Sequence, residues 1–225
     1  MLHFKDPAYA KGVVVDPGFS KVAQDIYMVQ FWKEDFCNEL IEKIDKAYID
    51  NSGSIDYVDS IPANDLPINY ISDTLFDDYC LHSKTLILPI VNDAFFGDYN
   101  KTVVDNNDRI KNNSVSAESW FNGWQRPIFG KYQKGIHESI GMHFDSGIIS
   151  FSIKLNNNYD GGLLNFPRQG YSNIDAPVGS MLFWPSNPSH IHESTPIQSG
   201  AKYFLANWSL AHQYTGALWR SYGQI

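Results

Sequence analysis

From Trp120 onward the helical period of this chain disappears, and that loss fixes the class of fold open to it. Upstream, Lys33 to Tyr48 repeats at the helical period: Phe36, Leu40, Ile41, Ile44 and Ala47 share one face, opposite Glu39, Glu42, Lys43 and Lys46. A second helix is predicted from about Ser72 to Phe95, kinked or broken at Pro89. Ile26 to Trp32 reads as a buried strand, and the first twenty residues, with Pro7, Gly12, Pro17 and Gly18, as an irregular lead-in. Asn51 to Ser54, Ile61 to Pro67 and Asn100 to Ser116 read as loops. Downstream, the runs at Gln125–Tyr132, Ile148–Leu155, Leu163–Phe166, Ser180–Trp184 and Tyr203–Leu210 are short, apolar or alternating, and parted by Gly, Pro, Asn and Asp. Short strands at that spacing build a sandwich or jelly roll. The expectation is an α+β fold, a helical layer packed on a β-barrel-like sandwich. It forms a single domain over 1–225, with 1–119 mainly helical support and loop and 120–215 the β core.

Composition removes several classes of function. With 43% hydrophobic and 15% aromatic residues, the chain buries a core and is not disordered. Two cysteines, Cys37 and Cys80, make no disulfide framework and lack zinc-site spacing, so they are read as half-buried thiols on helices in a reducing compartment. A net charge of −8 repels a phosphate backbone, which disfavours nucleic acid as a partner. No leader-like apolar stretch opens the sequence and no segment suits a membrane span, so the expected residence is cytoplasmic and no membrane partner is expected.

The chemistry-bearing pattern is His143-Phe144-Asp145, just ahead of a strand-like run, with His192 far enough downstream for several strands to return to it. In extended backbone, residues i and i+2 point to one side, so an imidazole and a carboxylate there can share one ion. Two histidines and one carboxylate take one face of an octahedron and leave three positions open, which suits an Fe(II) that must also bind O₂ and a chelating co-substrate. Lys202 falls in the apolar strand that follows His192. It either snorkels to water or faces the interior, where its ammonium needs an anion.

The stretch from Tyr132 to Trp208 resembles the 2-oxoglutarate/Fe(II) dioxygenases of the prolyl 4-hydroxylase type. The pattern runs Tyr132-x-x-Gly135, His143-x-Asp145, Asp160-Gly161-Gly162-Leu163 with Phe166-Pro167, Gly179 to Trp184, then His192, Pro196, Gly200, Lys202 and Trp208. The resemblance implies a double-stranded β-helix (jelly roll) core. It makes His143, Asp145 and His192 the catalytic iron ligands, and Lys202 the base that pairs with the far carboxylate of 2-oxoglutarate. Tyr132 is implied as a co-substrate hydroxyl or else a core tyrosine of the first sheet strand, and Trp208 as packing on the co-substrate or simply core. His190 has the same strand parity as His192, but Pro196, Gly200 and Lys202 follow His192 in the family's register.

Two departures from the family stand out. Between Gly135 and His143 the segment Ile136 to Met142 is longer than the family's and lacks its second tyrosine. The strand position that supplies a co-substrate tyrosine in some relatives is Ile153 here, which leaves the second donor to the far carboxylate unassigned. Gly161-Gly162 is assigned a structural role, a positive-φ turn of hairpin kind between two strands. Arg126, Arg168 and Trp184 are candidates for the substrate cleft or for plain surface and core positions.

The activity implied is dioxygenase hydroxylation: Fe(II), O₂ and 2-oxoglutarate, with ascorbate as a reductant, giving succinate, CO₂ and a hydroxylated C–H position. The leading substrate is a prolyl residue in a protein or peptide partner. The alternatives are the same chemistry on a small molecule, free amino acid or nucleobase, and a non-catalytic metal-binding jelly roll. A carboxylate at Asp145 favours hydroxylation over halogenation, which needs that coordination position vacant for halide.

Overall fold

A computed structural model describes residues 3–50, 65–95 and 127–209. The lead-in is more ordered than its composition suggests. Pro7–Gly12 forms a short helix, α1, whose cap is Asp6, accepting from the amides of Ala8 and Tyr9. An aspartate cap followed by proline at the first helical position is the local signal for it. Asp78 on a later helix accepts from the amides of Lys5 and Asp6 and moors this start.

Phe19–Ala23 (β1) and Ile26–Gln30 (β2) form an antiparallel hairpin that turns at Asp25, whose φ is 53°. β1 is mostly exposed and carries little apolar alternation, which is why the sequence pattern passes over it. Helix α2, Glu34–Asp50, buries the predicted face: Phe36, Leu40, Ile44 and Ala47 are in the core, and Ile41 packs partly against it. Fully burying Leu40 and Ile44 contributes about 2 kcal/mol each. Asp65–Pro67 is a short strand, β3, within the segment expected to be loop.

Helix α3, Asp73–His82, starts at a Ser72 cap. The break expected at Pro89 takes another form. Proline lacks an amide hydrogen and its ring crowds the carbonyl one turn back. The helix widens into a π turn at Ser83–Ile87, where Leu88 N–H reaches Ser83 O, and helical backbone then runs through Pro89 to residue 95.

The remaining strands are Ile128–Gln133 (β4), Ile140–His143 (β5), Ile149–Lys154 (β6), Tyr159–Gly161 (β7), Leu164–Phe166 (β8), Tyr171–Ser172 (β9), Ser180–Pro185 (β10), His192–Ser194 (β11) and Ile197–Trp208 (β12). They make two sheets. The larger runs β1-β2-β10-β6-β12-β4-β3, with β7 also paired to β12, and the smaller runs β5-β11-β8-β9. Alternation between β4-β12-β6-β10 and β5-β11-β8-β9 along the chain is the winding of a jelly roll. Three strands from the N-terminal half thus extend the larger sheet, alongside the helices that cover it.

The two faces of the larger sheet have different cores. Val29, Phe151, Ile153, Phe183 and Leu205 point outward into the cluster shared with α2 and α3. Leu182 and Trp184 point inward and meet Leu164 and Phe166 of the smaller sheet. On β6 this alternation sends Ser150, Ser152 and Lys154 into the interior. The polar stripe of that strand, not its apolar one, lines the inside of the roll.

Gly161 and Gly162 have φ of 72° and 60°, as the turn requires, but the turn is not a hairpin. β7 pairs with β12 of the larger sheet, whereas β8 pairs with β11 of the smaller one. The two glycines carry the chain from sheet to sheet. A Cβ on Gly161 would lie 2.1 Å from Pro196 O, so no side chain fits there.

Candidate metal centre

β5 and β11 pair so that His143 and His192 are direct cross-strand partners. Asp145 lies just past the end of β5 and turns its carboxylate between them. Its Oδ1 is 3.7 Å from His143 Nε2 and its Oδ2 is 3.6 Å from His192 Nε2. The ligand atoms of all three residues lie within 4.8 Å of one another. Donors held at right angles about 2.1 Å from one ion stand about 3 Å apart, so a small inward adjustment fits this set to a metal.

The protonation pattern suits the same purpose. His143 Nδ1 is 2.8 Å from Gly141 O, and His192 Nδ1 is 3.0 Å from His190 O. A carbonyl oxygen only accepts, so each Nδ1 carries the proton and each Nε2 keeps its lone pair toward the centre. Burial lowers the His192 pKa, opposed by Asp145, which favours the neutral imidazole a metal needs. Trp184 stands edge-on to His192 with ring centres 5.1 Å apart, and Phe166 covers it at 5.2 Å. The His143 side chain is 25% exposed against 6% for His192, so the centre opens to solvent on the His143 side.

His190 is not part of the cluster. It ends a short 3₁₀ turn, Pro188–His190, with Nδ1 on Ser189 Oγ at 2.7 Å and Nε2 on Gln24 O at 3.1 Å. Both of its nitrogens are occupied, Nδ1 within the turn itself and Nε2 in tying it to the β1–β2 hairpin.

Lys202 faces the interior, with Tyr132 as its cross-strand partner. Its residue exposure is 5%, its Nζ donates to Ser194 Oγ at 2.7 Å, and the Tyr132 and Phe204 rings flank it at 5.4 and 5.0 Å. Among the described residues no carboxylate pairs with it. Burial, with a smaller push from Lys154, brings its pKa down to about 7. An ammonium has three donors, and among the described residues one hydrogen bond, to Ser194 Oγ, is made.

The expectation for Ile153 is displaced by one residue. Ile153 faces the helical layer, fully buried in the outer core, and the interior position is Lys154. Lys154 Nζ donates to the main-chain oxygens of Asn173, Ile174 and Ala176 at 3.3, 3.2 and 2.9 Å, and so braces the turn between β9 and β10. The strict Ile-Ser-Phe-Ser-Ile-Lys alternation is the signal that separates the two positions.

Tyr132 is buried beside Lys202, and Trp208 is opposite Ser150 near Asp145. Arg168 donates to Pro188 O across the surface and serves a turn. Arg126 lies outside the described residues. Ser150 and Ser194, which contact Asp145 and Lys202, carry no sequence motif and were not anticipated.

Two sheets of this winding make a double-stranded β-helix, and they enclose the His-x-Asp and distal-His cluster together with two buried lysines, Lys154 and Lys202. No family model matches the sequence. The chain is similar to a Pseudomonas putida prolyl-4-hydroxylase, with TM-score 0.53 and 17% identity over 84% of this chain and 89% of that one. It is also similar to the viral collagen prolyl hydroxylase of Paramecium bursaria Chlorella virus-1 in its 2-oxoglutarate complex, with TM-score 0.51 and 15% identity over 84% and 96%. In sequence it is 22% identical over 212 residues to a multifunctional procollagen lysine hydroxylase and glycosyltransferase of Caenorhabditis elegans, matching 90% of this chain. It spans about a quarter of the length of the curated relatives it matches.

Proposed function

We propose that this chain is a 2-oxoglutarate-dependent Fe(II) hydroxylase acting on a residue of a protein or peptide, a prolyl residue first. One observation carries the reading: three donors converge on one point, the two histidines with Nε2 turned to it, and in the same interior a buried lysine has no anionic partner among the described residues. A metal-binding module needs the donors alone. The added cation calls for a ligand that reaches from metal to lysine, as a dicarboxylate does.

In this reading His143 Nε2, Asp145 and His192 Nε2 hold Fe(II), and Lys202 meets the far carboxylate of 2-oxoglutarate. Tyr132 and Phe204 wall that end, and Trp208 flanks the metal end. When bound, the iron with O₂ and 2-oxoglutarate supplies oxidation of a C–H bond, yielding the alcohol, succinate and CO₂. Phe166 and Trp184 keep water from the buried side of His192, and the open His143 side admits the substrate.

A peptide substrate is supported by the collagen-directed activities named for the relatives. The same sequence relative supports a lysyl residue as the second choice. No helix among the described residues is long and apolar enough to cross a membrane, and free Cys37 and Cys80 support a reducing, cytoplasmic setting.

The test supplies the purified protein with Fe(II), ascorbate, O₂ and 2-oxoglutarate, with and without peptides rich in proline or in lysine. Slow succinate formation alone, accelerated by one peptide class that gains the mass of one oxygen atom, is the expected result. Iron binding with no succinate under any condition would establish the non-catalytic reading instead.

A further inference from the structure

The two Asp145 oxygens are almost equally placed between the histidines, 3.7 Å from one and 3.6 Å from the other, so the triad alone does not decide how the carboxylate meets a metal. The decision comes from β6. Ser150 Oγ donates to Asp145 Oδ2 at 2.5 Å, and Ser186 Oγ is 2.6 Å from Ser150 Oγ. An ionised carboxylate only accepts, so the one Ser150 proton goes to Asp145. Ser186 must then be the donor to Ser150, which gives the chain one direction, from Ser186 through Ser150 to Asp145.

Both hydroxyls are shielded from solvent and rigidly held. Ser150 is fully buried and paired with Trp184 on one side and Trp208 on the other. Ser186 is 5% exposed, and its amide donates to Ile148 O at 2.9 Å. Water does not compete for these bonds.

We propose that Ser150, oriented by Ser186, is a positioning residue that occupies Asp145 Oδ2 and leaves Oδ1 alone to bind the metal. A carboxylate free at both oxygens can chelate an ion and fill a further coordination position. With Oδ2 engaged, three positions stay open, the number a two-point 2-oxo acid chelate and O₂ require. This rests on the reading of the site as a metal centre.

The test uses the full chain loaded with Co(II), whose visible absorption reports coordination number, titrated with 2-oxoglutarate without turnover. Ser150→Ala is expected to keep Co(II), change its absorption, and bind 2-oxoglutarate about tenfold more weakly. Ser186→Ala should move both in the same direction by less. Ser150→Thr, which keeps the hydroxyl, should restore the wild-type values, whereas Ser150→Val, of the same shape, should not. Unchanged absorption and 2-oxoglutarate affinity in Ser150→Ala, or equal behaviour of the Thr and Val variants, overturns the inference and leaves the metal site standing. Loss of Co(II) altogether in Ser150→Ala also overturns it, because the hydroxyl would then serve metal retention. A wild-type protein that binds no Co(II) overturns the metal reading and this inference with it.

Discussion

His143 and His192 face each other across a single pair of antiparallel strands, their ring centres 4.4 Å apart, and each is turned by a main-chain oxygen two residues back. The rings are therefore aimed before any ion arrives, by backbone that the β5–β11 ladder already fixes. Such preorganisation lets a small cluster bind tightly without a loop closing over it.

The nearby His190 provides the sharpest control. His192→Ala removes a donor from the centre and is expected to abolish stoichiometric metal binding and all 2-oxoglutarate turnover. His190→Ala loses two hydrogen bonds in a turn, costing roughly 1–3 kcal/mol of stability, and should retain metal at wild-type stoichiometry. Metal analysis of both variants after equilibrium dialysis decides the matter. Loss of metal in the His190 variant at a temperature where it remains folded would count against the assignment.

Lys202→Ala should leave the metal in place and weaken 2-oxoglutarate by roughly 1.5–3 kcal/mol, the worth of one charged hydrogen bond. Lys202→Arg should be worse tolerated than exposure scales suggest, because a planar fork must fit between the Tyr132 and Phe204 rings. Calorimetry on Co(II)-loaded protein separates the two effects. Normal co-substrate affinity in Lys202→Ala would remove the lysine from the site.

How much of this was legible in the sequence depended on whether the signal was local. The buried face of α2 is visible because Phe36, Leu40, Ile44 and Ala47 repeat within one helix. β7, β9 and β11 are two or three residues long and owe their existence to partners far along the chain, so no period betrays them. The expected interior position at Ile153 lies in the outer core for a different reason. Apolar residues usually mark the inside, but here the helices cover the outer face and the interior of the roll is the polar side of β6. Ser150 and Asp145 meet across the entry to that strand, and no sequence pattern specifies such a contact.

The outer core should carry the stability and the inner face the function. Phe183 is fully buried and stacked on Tyr27 at 5.3 Å, with Phe151 and Phe95 beside it. Phe183→Ala is expected to cost about 3–5 kcal/mol. Chemical denaturation measures this directly, and the 2-oxoglutarate affinity of the molecules that remain folded should be unchanged. An affinity loss at low denaturant, with the fold intact, would mean that the two faces of the sheet are coupled.

The pH dependence of co-substrate binding follows from Lys202. With no carboxylate beside it, its pKa is down at about 7, because burial and the neighbouring Lys154 both oppose the charged form. A carboxylate beside it favours the ammonium and raises that pKa again. Below about pH 7 the lysine is already charged and affinity is flat with respect to this group. Above it, binding must first take up a proton, so 2-oxoglutarate affinity should fall by up to tenfold per pH unit, for as long as the bound lysine stays protonated. The stability of the protein without co-substrate moves the other way. Between about pH 7 and the ordinary lysine value of 10.5 the unfolded chain holds the proton that the folded chain has lost, so this group makes folding more favourable as pH rises through that window. Titration calorimetry at pH 8 in two buffers of different ionisation enthalpy should show close to one proton taken up per 2-oxoglutarate bound, and none in Lys202→Met. The same uptake in Lys202→Met would place the titrating group elsewhere, with His137 at the Tyr132 ring the next to examine.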